Sequence, residues 1–227
     1  MRSPVRAARA AHYYTMRKLL FAAALLLVAG LLYYSLTGSA PPAAPATDPA
    51  YVARIEQARR QKDQAFRTAA TSPIDSARRA SFSGLRYYRP AAAYRVVAQL
   101  TRAAVPTPMP LALTGGSADA YTHWGTVKFE LGGQAQKLLL LQKQGLGANP
   151  NELFLPFTDA TNGQQTYAAG RYLDLAAPPA DASTMELDFN AAYNPFCAYN
   201  HDYSCPRVPA ENRLTVPVPA GEQQFQQ

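Results

Sequence analysis

The 227-residue sequence holds little of what most recognisable enzymes and small secreted scaffolds need. Its two cysteines are too few for a disulfide-dense fold, and they cannot form a paired-cysteine zinc site. It has no glycine-rich phosphate loop, no G-x-S-x-G and no H-E-x-x-H, which excludes the enzymes that carry those motifs and no others. No pattern calls for a cofactor or a metal. Charged residues make up 16% of the chain, and none before Asp48 is acidic. What the chain has in quantity is apolar and aromatic matter: 48% hydrophobic, with 14 tyrosines and 9 phenylalanines. That is enough to fill a core and excludes global disorder.

A formal charge of +7 suggests nucleic acid, but its distribution points elsewhere. Arg2, Arg6, Arg9, Arg17 and Lys18 lie ahead of the first apolar run. Without them, seventeen basic residues face fifteen acidic ones, so no nucleic-acid partner is expected. Residues 19–36 (LLFAAALLLVAGLLYYSL) carry no charge and, as a helix, would span roughly 27 Å, enough for a bilayer core. Arg17 and Lys18 flank the run on one side, and Tyr33 and Tyr34 suit an interfacial belt. The expectation is a basic cytoplasmic segment over 1–18 and a transmembrane anchor over 19–36. A linker over 37–48 follows, and the rest of the chain lies outside the cytoplasm. The alternative is a cleaved signal peptide ending near Gly38-Ser39-Ala40.

Asp48-Pro49 has the form of an N-cap followed by proline at the first helical position. An amphipathic helix is expected over 49–72, with Val52, Ile55, Ala58, Ala65 and Phe66 on the packed stripe and Arg59, Arg60, Asp63 and Arg67 off it. Packing on the domain is one reading of this helix; lying on anionic lipid is the other. From Ser81 the period falls to two. Residues 94–101 alternate, and three prolines over 105–110 are expected to break the ladder. Residues 121–131 and 134–142 flank Gly132-Gly133, a tight-hairpin signal. Residues 153–157, 166–175 and 185–190 read as further strands, with a second hairpin ending in 166–175. Residues 214–219, with proline at alternate positions, read as an edge strand. The fold class is therefore mainly β: an antiparallel barrel or sandwich of about seven to nine strands over 73–227.

Residues 188–214 (DFNAAYNPFCAYNHDYSCPRVPAENRL) hold both cysteines, four asparagines and three prolines. This is too irregular for a strand and too aromatic for a solvated linker, so it reads as a long ordered loop. Together with SFSGLRYYRP (81–90), LFLPFTDATNGQQTYAAGRYLDL (153–175) and AGE (220–222), it resembles an uncharacterised bacterial and archaeal family, domain of unknown function 1684. Arg207-Val208-Pro209 departs from the more proline-rich run of that family. The resemblance implies no activity.

In an extracytoplasmic chain, Cys197 and Cys205 are candidates for a disulfide; free structural thiols, or a metal site with His201 and Asp202, are the alternatives. A second group is Asp159, Thr161, Gly163, Tyr167 and Arg171. If Leu173 and Leu175 face the core, so does Arg171, which then needs a carboxylate such as Asp159 or Asp188. Either that pair is structural, or the guanidinium lines a pocket for an anionic group. Asp188, Asn190, Tyr193, Asn194 and Asn212 satisfy the loop backbone or converge with Arg171 on a small polar ligand. His123, beside Trp124, reads as a packed strand residue. The functional expectation is a membrane-tethered binding or envelope-interaction module that takes a small polar or anionic ligand. The alternatives are a metal-independent hydrolase or transferase with Asp159 or Asp188 as base, and a structural envelope protein.

Overall fold

The computed structural model describes residues 47–145 and 147–226, with Val28. The span expected over 19–36 thus lies outside the described residues, Val28 apart. Among the described residues no helix is long and apolar enough to cross a membrane.

Helix α1 (Pro49–Thr68) starts as its sequence dictates: the Asp48 carboxylate accepts the Ala50 N–H at 2.9 Å and proline occupies the first turn. It stops short of residue 72 because Ala69 is already extended. The row it turns towards the protein is Tyr51, Ile55, Arg59, Lys62 and Phe66, at helical spacing. Arg59 therefore belongs to the packed stripe, contrary to the sequence reading, while Ala58 and Ala65 are exposed. Its guanidinium donates to the carbonyls of Tyr88 (2.8 Å) and Asn190 (3.1 Å) and lies 4.5 Å over the Tyr87 ring. A long aliphatic stem lets a cation serve a packing face where carbonyls receive its head. A short helix, α2 (Ser76–Arg79), follows, capped by Asp75.

The strands are β1 (Arg95–Pro108), β2 (Leu111–Ala112), β3 (Ala118–Asp119), β4 (Tyr121–Leu131), β5 (Gln134–Lys143), β6 (Glu152–Phe157), β7 (Arg171–Ala176) and β8 (Thr184–Asp188). Six form one antiparallel sheet in the order β7-β6-β5-β4-β1-β8, and β2 and β3 form a small second sheet. The architecture is mainly β, but an open half-barrel in place of a closed barrel or sandwich. β4 and β5 make the expected Gly132-Gly133 hairpin, with both glycines at positive φ. The prolines over 105–110 do not end β1. They coincide with a lapse in its register between Arg102 and Thr107, after which Thr107 and Pro108 pair with His123 and Thr122. The hairpin expected to end in 166–175 is shorter: residues up to Gly170 are irregular, and β7 begins at Arg171.

One sheet face carries the core: Leu100, Val127, Phe129, Leu138, Leu140, Leu153, Leu155, Leu173 and Leu187. Against it lie Phe189, Leu214, Val216, Val218 and Ala220. The alternation read in 214–219 is thus real, but the segment is no ladder strand, since Pro217 and Pro219 have no N–H to give. Helix α1 packs through Phe66 into a separate cluster with Phe82 and Tyr199, and its Lys62 pairs with Glu222 of the C-terminal segment.

Strands β5 and β6 pair at Leu141 and Phe154, and beyond that point Asn212 fills the gap. Its Oδ1 accepts the Leu139 N–H at 2.7 Å, and its Nδ2 donates to the carbonyls of Leu139 (3.0 Å) and Pro156 (2.8 Å). A side-chain amide here does what a strand backbone would. Asn212→Leu, which leaves the amide and carbonyl of Leu139 unpaired in a dry site, is expected to cost roughly 3 kcal/mol or more, read as a lower urea midpoint.

Candidate functional site

Arg171 opens β7 on the core-facing row and has no exposed surface. One terminal nitrogen, Nη2, donates to Asp159 Oδ2 and to the Val218 carbonyl, both at 2.8 Å. The other, Nη1, donates to the carbonyls of Ala220 and Glu222, the latter at 3.1 Å. The guanidinium carbon stands 5.3 Å over the Phe157 ring. Asp159 is equally sealed: its Oδ1 accepts from the N–H and hydroxyl of Thr161 (2.8 and 2.6 Å) and from the Val218 N–H at 3.1 Å. The inward placement of Arg171 follows from period two, and its partner is Asp159. Every bond this pair makes ends on protein; Arg171 Nε alone has no partner among the described residues, and it too is buried, so no donor faces an open pocket.

The other residues named from sequence fall into separate places. Asp188 accepts the Tyr51 hydroxyl (2.7 and 2.9 Å) and the Asn190 N–H (3.0 Å), tying the loop to α1. Asn190 clasps the backbone of Ala91 in both directions at 2.9 Å. Asn194 gives its N–H to Glu222 at 2.9 Å and its side-chain amide to the Gln223 carbonyl at 2.8 Å. Asn212 bridges strands as described. These groups satisfy backbone and do not converge with Arg171 on one cavity. His123 stands 3.1 Å from the Thr126 hydroxyl on its own strand.

Sequence reasoning missed Glu222, a buried carboxylate that accepts from Lys62, from the Asn194 N–H and from the Tyr199 hydroxyl. The signal was the short AGE string. Ala220 gives its carbonyl to Arg171, Glu222 anchors α1 through Lys62, and Gly221 joins them at φ +72°. A Cβ at Gly221 would stand 2.4 Å from the Ala192 carbonyl, so no other residue fits.

Cys197 and Cys205 are both free and buried; the expected disulfide is not formed in the structure. The Cys197 N–H donates to Cys205 Sγ at 3.1 Å, and the Tyr167 hydroxyl lies 3.8 Å from Cys197 Sγ. The hydrogen bond from Cys205, assisted by that of Tyr167, holds the Cys197 thiol at about 6 against the opposing effect of burial. The same hydrogen bond raises Cys205. Among the described residues no cluster of three or more His, Cys, Asp or Glu side chains is placed to hold a metal.

The arrangement best suited to meet a ligand is on the other face of the sheet. Phe154 on β6 lies opposite Asp174 on β7 and Leu141 on β5, and Tyr121 on β4 lies opposite Lys143. Period two therefore aims Tyr121, Phe154, Tyr172 and Asp174 outward, away from the Leu153–Leu173 row. Tyr121 stacks on Phe154 at 5.3 Å, Phe154 meets Tyr172 edge-on at 4.7 Å, and Tyr172 meets Tyr193 edge-on at 5.8 Å. These rings, with Asp119, Glu152 and Asp174, line a cavity of about 390 Å³. Lys143 neutralises Asp119 at 3.3 Å, whereas Glu152 and Asp174 have no cation within ion-pair distance among the described residues. The Tyr193 hydroxyl donates to Asp174 at 2.7 Å. The surrounding walls push the Asp174 carboxyl upward, and that hydrogen bond draws it back. Burial lifts Tyr121 to about 12, so its hydroxyl stays a neutral donor. Of the residues named from sequence, Tyr193 alone reaches this cavity. The signal for the rest was in the strands themselves, whose polar-face positions held aromatics.

Such a molecule is first of all an open antiparallel half-barrel with a ring-walled acidic cavity on its outer face. Residues 80–223 match the family described as "Protein of unknown function (DUF1684)", and the chain belongs to that family. It is also similar to the uncharacterized protein from gene locus rrnAC0354 of Haloarcula marismortui, solved by solution NMR. The two are 36% identical with a TM-score of 0.61, over 77% of this chain and 94% of that one. No curated protein matches the chain.

Arg171→Ala leaves the Asp159 charge buried without its partner and is expected to destabilise the domain by roughly 3 to 5 kcal/mol in urea denaturation. Arg171→Met with Asp159→Leu, which removes both charges, is expected to recover only the part due to the unpaired carboxylate, because the carbonyls of Val218, Ala220 and Glu222 stay without their donor. For the thiols, the reactive form is the thiolate, so alkylation of Cys197 should gain rate as pH rises through about 6 and level off above it. Cys205→Ala removes the supporting hydrogen bond and should move that inflection up towards the ordinary thiol range, as read by mass spectrometry of the alkylated peptide.

Proposed function

We propose that the chain is a membrane-tethered, extracytoplasmic binding module whose ligand enters the cavity on the outer face of β4–β7. One observation carries this reading: four aromatic rings stand beside two carboxylates that form no ion pair among the described residues. Ring faces are electron-rich and attract a positive head group, and carboxylates at the same site fix it. The ligand class is therefore a small organic amine or ammonium compound. An anionic ligand lacks support from Arg171, whose guanidinium is sealed in the core.

The tether rests on the uncharged run over 19–36 and the basic residues ahead of it. A helix lying on lipid has less in its favour, since Arg59 and Lys62 turn into the protein. The hydrolase reading loses its bases: Asp159 is sealed, and Asp188 is occupied by Tyr51 and Asn190.

Calorimetric titration with choline, cadaverine and glucosamine, set against glucose and acetate, tests the site. Binding by the amines is expected, weakened roughly tenfold or more in Asp174→Asn, the size of one lost charge-assisted contact. Tyr193→Phe, which frees Asp174 from its hydrogen bond but keeps the ring, should retain most of the affinity. Acetate binding with no amine binding would overturn the assignment. The tether is tested by alkaline carbonate extraction, in which the full chain should remain with the membranes.

A further inference from the structure

The two cysteines line a cavity of their own that shares Tyr172 and Pro206 as a wall with the aromatic cavity, and their surroundings are not those of core filler. Cys197 sits in the turn Phe196–Ala198, and Cys205 is gripped from the other side by Thr114. The Cys205 N–H donates to the Thr114 hydroxyl at 3.0 Å, and the Cys205 carbonyl accepts the Thr114 N–H at 3.0 Å. Two separately anchored segments thus bring one cysteine's N–H onto the other's sulfur at 3.1 Å. Both residues line a cavity of about 380 Å³ whose other walls include Thr114, Thr158 and Arg207. The Tyr167 hydroxyl, 3.8 Å from Cys197 Sγ, stands ready to donate to a thiolate there.

We propose that Cys197 and Cys205 form a thiol–disulfide exchange site, with Cys197 attacking and Cys205 resolving, that takes carboxylate-bearing aliphatic disulfides through this cavity. The Cys197 thiolate attacks one sulfur of the incoming disulfide, a new Cys197 S–S bond forms, and the other half leaves as a thiolate that takes up a proton. Cys205 then gives up its proton and attacks Cys197 Sγ. The protein disulfide forms, and the second half leaves likewise as a thiol. The protein dithiol is oxidised by two electrons and the small disulfide is reduced to two thiols, so the external disulfide is the oxidant and nothing further is needed. The guanidinium of Arg207 on the cavity wall supplies the contact for the substrate carboxylates. The order of attack follows the Tyr167 hydroxyl, whose approach to Cys197 Sγ supports a thiolate there, while the Cys197 N–H on Cys205 Sγ supports the second sulfur when it resolves.

The full chain, reduced and freed of reductant, is treated with oxidised glutathione and followed by intact mass. Wild type is expected to lose two hydrogens and retain no adduct, and the product should regain both thiols with dithiothreitol under native conditions. Cys205→Ser should stop at one glutathione on Cys197, and Cys197→Ser should react far more slowly. Arg207→Ala should slow the reaction with oxidised glutathione by roughly tenfold while leaving that with neutral hydroxyethyl disulfide unchanged. Far-ultraviolet circular dichroism checks that each variant folds, and the wild-type oxidation stands without them. Two thiols that persist natively yet oxidise in urea would overturn the proposal. So would a disulfide that dithiothreitol opens only in urea, which would make the bond a permanent staple. Equal adduct formation at either cysteine would overturn the assigned order.

Discussion

A guanidinium with no exposed surface must find its partners inside the protein, and the two terminal nitrogens of Arg171 find them on two separate stretches of chain. Asp159 supplies the opposite charge from the turn after β6, and Val218, Ala220 and Glu222 supply carbonyls from the C-terminal segment. The C-terminal segment contains two prolines and forms no ladder, so its carbonyls would be costly to bury without a donor. Arg171 is that donor. The same segment brings Glu222 to Lys62 and so docks α1. Breaking the pair therefore uncouples the half-barrel's edge, its C-terminal cover and the helix that rests on the cover.

The chemistry of the domain is divided between the two faces of one sheet. On the inner face, polar groups satisfy one another: Arg171 with Asp159, and Asn212 with the backbone of β5 and β6. On the outer face, Glu152 and Asp174 form no ion pair among the described residues and stand among rings. A carboxylate beside an opening has a different physical status from one sealed in a core, since water can reach it. Alternation along β6 and β7 is what sorts them: Arg171 and Leu173 face one way, Tyr172 and Asp174 the other.

Period two made the inward Arg171 legible in the sequence, and the cap Asp48-Pro49 and the hairpin at Gly132-Gly133 were legible for equally local reasons. The closure of the sheet was not. Strand count does not say whether edge strands meet, and β7 is instead covered by a bridge between Tyr172 and Tyr193. Nor could the sequence show that Arg59 faces inward, because its placement depends on the distant carbonyls of Tyr88 and Asn190. The candidate site read from the sequence lies along the conspicuous loop over 188–214. Its asparagines drew attention as polar groups, yet they are spent on backbone, and the rings that line the outer cavity looked like ordinary strand residues.

The central claim is that Arg171 serves the scaffold while ligand meets the outer face. Titrating choline into the labelled domain, with NMR observation of the tyrosine rings and the Arg171 guanidinium together, tests it most directly. The account predicts that Tyr121, Tyr172 and Tyr193 shift with saturation while the Arg171 resonance stays in place. Movement of Arg171 with the tyrosine rings unchanged would contradict it.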